Sequence, residues 1–107
     1  MNGITYTTES AETLAEAPSL RVRRIALGQG QCVPWHYHSQ VTDTFFCIRG
    51  PMQVKTRGPD EVQVLQPGNI YAVSAGTPHY VSGVDGRPCE FMVVQGVGEY
   101  DFVAVTE

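Results

Sequence analysis

The sequence predicts an all-β barrel. Its 107 residues carry 11 glycines and 7 prolines spread along the whole chain. Apolar residues alternate with polar ones in short runs between these turn formers, and no stretch of ten or more residues keeps a helical period. Turn signals recur at roughly the 8–12-residue spacing of a sandwich or barrel. The length suits one domain, residues 1–107, able to bury a core without staples.

Taken in order, residues 3–8 (GITYTT) read as a short strand. Residues 9–17 (ESAETLAEA) read as a helical turn, too short to persist as an isolated helix, and Pro18 ends it. Strands then follow over Leu20–Leu27, Cys32–His38, Asp43–Ile48, Met52–Arg57, Glu61–Leu65, Ile70–Val73, His79–Ser82 and Cys89–Gln95, with Tyr100–Val105 as an added edge strand. Gly28–Gly30, Gly50–Pro51, Gly58–Asp60, Pro67–Gly68, Ala75–Pro78 and Asp85–Pro88 supply the turns, where Gly provides positive φ and Pro a fixed negative one.

The net charge of −4 disfavours nucleic acid as a partner, because phosphate binding needs a basic stripe. The basic cluster is Arg21, Arg23 and Arg24. Arg21 and Arg23 fall on one face of a strand; a solvated face is the simplest reading, and an anion-binding role in a pocket is the alternative. Cys32, Cys47 and Cys89 are odd in number and lack a C-x-x-C pair, which fits neither a disulfide framework nor a zinc ribbon. They read as small buried hydrophobes. The first twenty residues lack the basic and apolar regions of a secretory signal, and no apolar run reaches the ~20 residues of a membrane span. These features suggest a cytoplasmic protein with no membrane partner.

The chemistry concentrates in three histidines. Two lie in Trp35-His36-Tyr37-His38, where strand alternation sends both imidazoles to one face, about 7 Å apart at Cα. Two such rings can reach one ion. After Ser39–Thr42, read as a turn, Asp43 opens what is expected to be the antiparallel neighbour. If Asp43 faces the histidines, Phe45 and Cys47 share its face and Thr44 points away, giving a polar mouth over an apolar interior. His79 follows a Gly76-Thr77-Pro78 turn far enough along the chain to return to the same end of a barrel.

These residues resemble the cupin superfamily, whose first motif reads G-x5-H-x-H-x(3,4)-E-x6-G. Here Gly30, His36, His38, Asp43 and Gly50 keep every spacing, with Asp in place of Glu. The second motif, G-x5-P-x-G-x2-H-x3-N, is matched at Gly68, Gly76 and His79, while Ser74 stands for Pro and Gly83 for Asn. The motifs span residues 30–50 and 68–83. The resemblance implies a double-stranded β-helix (jelly-roll) of the RmlC-like type, one divalent transition metal held by His36, His38, Asp43 and His79, and a subunit that pairs as a homodimer by sheet extension. Asp is shorter than Glu by about 1.5 Å of reach. Asp43 therefore binds directly, through water, or only by hydrogen-bonding a histidine, the last two leaving a three-histidine site.

Three imidazoles and a carboxylate suit Fe, Mn, Co, Ni, Cu or Zn. Four ligands on an octahedral ion leave two adjacent positions for a small oxygenated molecule or for substrate and O2. Phe45, Phe91, Met92, Tyr71 and Tyr80 are candidates for the substrate wall, though core filling explains each more simply. No catalytic base is identified; Glu90, Glu99 and Asp101 read as surface acids, and the last core strand offers Gln95 where some sugar-acid-processing cupins carry an acid. Three functions remain open: a dioxygenase or lyase/isomerase, a non-catalytic small-ligand binding or sensing module, and a barrel in which the metal is structural.

Overall fold

The computed structural model describes residues 6–106. The described chain forms β1 Ser10–Ala17, β2 Leu20–Leu27, β3 Cys32–Tyr37, β4 Thr42–Arg49, β5 Met52–Thr56, β6 Glu61–Leu65, β7 Ile70–Val73, β8 His79–Gly83, β9 Cys89–Gly96 and β10 Val103–Ala104, with a 3₁₀ turn at Val84–Gly86. The strands make two five-stranded sheets, ordered β1-β2-β9-β4-β7 and β10-β3-β8-β5-β6. All their pairings are antiparallel. The inner faces enclose a core of Ile25, Leu27, Val33, Phe45, Cys47, Met52, Val54, Leu65, Val73, Val81, Cys89, Phe91 and Val93. Strict alternation produces it: β9 is buried at every second residue from Cys89 to Gln95, as a strand with one wet face must be.

Four expectations are corrected here. Residues 9–17 do not form a helical turn; Ser10–Ala17 is a strand paired along β2, with a bulge between Thr13 and Ala15. Its Ala, Glu and Leu residues favour helix, but a short helix here pays nucleation without a core face to bury. Pairing instead satisfies the edge N–H and C=O groups of β2. The N-terminal strand expected over residues 3–8 is not observed at Tyr6–Thr8, and residues 3–5 lie outside the described residues. The expected edge strand at Tyr100–Val105 narrows to β10, paired with β3 through Val103–Tyr37 and Ala104–His36.

The fourth correction changes how the site is built. Residues Ser39–Thr42 do not join a hairpin, because β3 and β4 lie in different sheets. The chain crosses from one sheet to the other there, so Asp43 faces the histidines across the barrel interior rather than from the adjacent strand. Gly76 fixes the facing loop. Its φ of +81° is a left-handed conformation that suits Gly, and its N–H donates to the His38 carbonyl at 2.7 Å. At Gly83, where the second motif carries Asn, a Cβ would overlap the Arg87 carbonyl; the tight turn after β8 leaves no room for a side chain.

Candidate metal centre

His36 on β3 and His79 on β8 are register partners, His38 follows the end of β3, and Asp43 enters from β4 in the other sheet. All four are buried. One ligand atom from each falls within 4.8 Å of all the others, a spacing that a single ion can bridge at the ~2.0–2.2 Å bonds of a first-row metal. Phe45 and Cys47 share the inward face with Asp43, and Thr44 faces away.

Each imidazole is oriented by a backbone carbonyl. His36 Nδ1 donates to Pro34 O at 2.7 Å, His38 Nδ1 to Asp101 O at 2.6 Å, and His79 Nδ1 to Thr77 O at 2.9 Å. A carbonyl only accepts, so each Nδ1 carries hydrogen, and a neutral ring then keeps its lone pair on Nε2. Yet Asp43 Oδ2 lies 2.9 Å from His38 Nε2 and 3.0 Å from His79 Nε2. Bare nitrogen against bare carboxylate repels. The arrangement calls for extra protons on the rings or for one cation in their place, and the donor set fits a divalent transition metal. Without metal, burial opposes charge on His38, but the hydrogen bond and charge of Asp43 outweigh it and raise that ring. Burial, then neighbouring His79, pushes His36 down to about 3. Burial would raise the Asp43 carboxyl, but hydrogen bonds from the two histidines hold it well below the usual range.

The reach of Asp43 is not limiting, because its carboxylate lies against two of the rings. Gln95 on β9 fixes its other oxygen, donating from Nε2 to Asp43 Oδ1 at 3.1 Å, while Gln95 Oε1 accepts from Arg21 Nε at 2.9 Å. Gln95 supplies no acid but holds the carboxylate in place.

The basic pair is also corrected. Arg21 and Arg23 do not sit on a solvated face; both line the chamber with His36, His38, Asp43, Phe45, Phe91 and Gln95. Their parity with buried Ile25 and Leu27 carries that signal in the sequence. Arg24, on the opposite face, pairs with Glu90. Of the expected wall residues, Phe45 and Phe91 line the chamber. Tyr71 packs against the core, and Tyr80 faces outward beside Trp35, with ring centroids 5.8 Å apart. Met92 falls on the outer parity of β9. Sequence reading missed Tyr6, Tyr100 and Phe102, which close the mouth. Phe102 stacks on His36 at 4.2 Å, Tyr6 stacks on Phe102 at 5.9 Å, and the Arg21 guanidinium lies 3.6 Å over the Tyr100 ring. Burial raises the Tyr6 and Tyr100 phenols against the opposing charge of the arginines, so both remain protonated donors. Cys47 and Cys89 lie in the apolar core; burial raises both thiols, Cys89 to about 11, which keeps them unreactive.

The chain is 41% identical over 51 residues to quercetin 2,3-dioxygenase of Bacillus subtilis; the match covers 48% of this chain but only 14% of that enzyme. Among solved structures, it resembles an uncharacterised double-stranded β-helix protein of Klebsiella pneumoniae with a TM-score of 0.78 and 20% identity, covering 99% of this chain and 91% of that one. It also resembles the DMSP lyase DddQ of Ruegeria pomeroyi, with a TM-score of 0.75 and 21% identity over 90% of this chain and 51% of that one. Those two likenesses are of fold. The sequence profile of the cupin domain matches residues 23–95, which takes in both motifs, so the chain belongs to the cupin family.

Proposed function

We propose that this cupin holds one divalent first-row transition metal with His36, His38, His79 and Asp43, and is a metal-dependent enzyme acting on a small oxygenated molecule by dioxygenase or lyase/isomerase chemistry. The observation that carries the reading is the set of carbonyl-anchored imidazoles, whose Nε2 atoms converge with a carboxylate that would otherwise repel them. Quercetin dioxygenase and DMSP lyase, among the relatives, are enzymes acting on small molecules, and that class is carried over here as a proposal.

When bound, such an ion supplies Lewis-acid polarisation of an oxygenated substrate or, if Fe(II), redox chemistry with O2. The chain's own residues do the rest. Pro34, Thr77 and Asp101 carbonyls orient the rings, and Gln95 holds Asp43. Phe45, Phe91 and Phe102 exclude water around the site, which strengthens the electrostatic interactions inside. Tyr6 and Tyr100 keep phenolic protons at the mouth.

Elemental analysis of anaerobically purified protein, with O2-uptake assays on diketones, catechols, thiols and sugar acids, tests the reading. About one metal per chain with turnover sustains it. O2 consumption with Fe(II) selects oxygenation, and turnover with Zn(II) selects Lewis-acid chemistry. The alternative is a non-catalytic module that traps a small ligand at the same site. Ligand-induced stabilisation without product would select that alternative.

A further inference from the structure

Arg23 is out of balance with its surroundings. Its Nε is buried and, among the described residues, has no hydrogen-bond acceptor. Arg21 beside it is fixed by Gln95 and stacked on Tyr100. Asp43 is the one acid among the described residues lining the chamber, and it is turned to other partners: Oδ1 accepts from Gln95, Oδ2 faces His38 and His79, and no acceptor reaches Arg23 Nε. A divalent ion with three neutral imidazoles and one carboxylate keeps a net charge of +1, to which the two guanidinium groups add +2. A buried unpaired donor and an uncompensated charge are costly, so the chamber is built for an anion.

The shape narrows which anion. Arg21, Gln95 and Tyr100 line both the inner chamber and an outer pocket of about 560 Å³. Glu16 and Glu99 line that outer pocket but not the chamber. The inner space of about 20 Å³ has room for a small polar end group and no more. A guanidinium fork matches a planar carboxylate with two parallel hydrogen bonds.

Building on the metal-centre reading, we propose that the substrate or ligand is a small carboxylic acid whose carboxylate enters the chamber and is held by Arg23 with Arg21, while its remaining atoms extend past Tyr100 into the outer pocket. Arg23 is thus a specificity-determining residue, kept despite its strain on the empty barrel.

Zn(II)-loaded protein, titrated at constant NaCl with acetate, glycolate and malonate against acetamide, glycolamide and malonamide, tests this by calorimetry and melting temperature. The carboxylates should bind and raise Tm, the amides at least tenfold more weakly. Arg23→Met should abolish the carboxylate shift, leave zinc content unchanged, and leave the ligand-free Tm equal to or above that of wild type. Arg23→Lys keeps the charge but loses the fork, and should weaken carboxylate binding about tenfold; it replaces the Met variant if that one fails to fold. Equal binding of amides, tighter binding of inorganic phosphate than of any carboxylate, or undiminished carboxylate binding by the folded Arg23 variants would overturn the proposal. If wild type takes up no zinc, the metal reading fails by itself. The same titration of metal-free protein then decides this one, an Arg23-dependent Tm shift supporting it and no shift overturning it.

Discussion

The two halves of the barrel interior are lined by the same strands yet obey different rules. Along β2 the inward residues run Arg21, Arg23, Ile25, Leu27; along β4 Asp43, Phe45, Cys47; along β9, read backward, Gln95, Val93, Phe91, Cys89. Each strand is polar at one end and apolar at the other, and the polar ends meet at the mouth. In the apolar half, packing alone decides stability, and even the cysteines are inert. In the polar half, among the described residues, Arg23 Nε is the buried side-chain polar atom left without a partner, which fits a half organised around something it binds. The lesson is that one alternating pattern can serve stability at one end of a strand and recognition at the other.

The sharpest way to break this comparison is to remove imidazoles from the polar half. The double variant His36→Ala/His79→Ala should lose essentially all bound metal by elemental analysis while remaining a folded β protein by circular dichroism. Stoichiometric metal in it would dismiss the centre. In the apolar half, Phe91→Ala should cost about 3–5 kcal/mol of stability through lost burial and a cavity. The folded fraction should still take up metal; loss of metal affinity there would mean that the halves are not separable.

Much of this division was legible in the sequence. The spacing of His36, His38, Asp43 and His79 picked out the cluster because motif spacing encodes strand rise and turn length, and the alternation of Asp43, Phe45 and Cys47 in β4 marked the inward face. The sequence was less informative where pairing is nonlocal. Nothing near Ser39 says that the chain changes sheets, so Asp43 was expected on a neighbouring strand. β1 buries no face and so has no periodic signature. Tyr6, Tyr100 and Phe102 reach the mouth only once distant segments have folded. Arg21 and Arg23 did carry a signal, their parity with Ile25 and Leu27, but charge suggested solvent.

A smaller change sharpens the polar half. Asp43→Asn keeps the volume but removes the charge, and metal affinity should fall about 10-fold or more, the scale seen even for outer-shell partners. Near-wild-type affinity in a metal titration would reduce the centre to three histidines.

The smallest effect is on pH dependence. In metal-free protein, His36 resists protonation down to about 3, whereas an unfolded histidine protonates near 6.5. The unfolded chain therefore binds more protons between those values, and stability should fall as pH drops through that window. His38 is raised, so its contribution is complete below about 6.5 and lost as pH rises through its folded value. Metal binding instead needs neutral rings, so the Tm gained on adding metal should widen from pH 6 to pH 8. Thermal scans with and without chelator check this; a constant gap would mean that the rings do not exchange protons for metal.

Asp101 has a consequence beyond closing the mouth. Its backbone carbonyl receives the His38 ring proton and its carboxylate receives the Ser39 N–H at 2.7 Å, while Phe102 beside it stacks on His36. Entrance and ligand alignment are therefore one mechanical part: a sequence change that reshapes the doorway at residues 100–102 also retunes the aim of two imidazoles, so selectivity for what enters and affinity for what is held cannot drift apart independently.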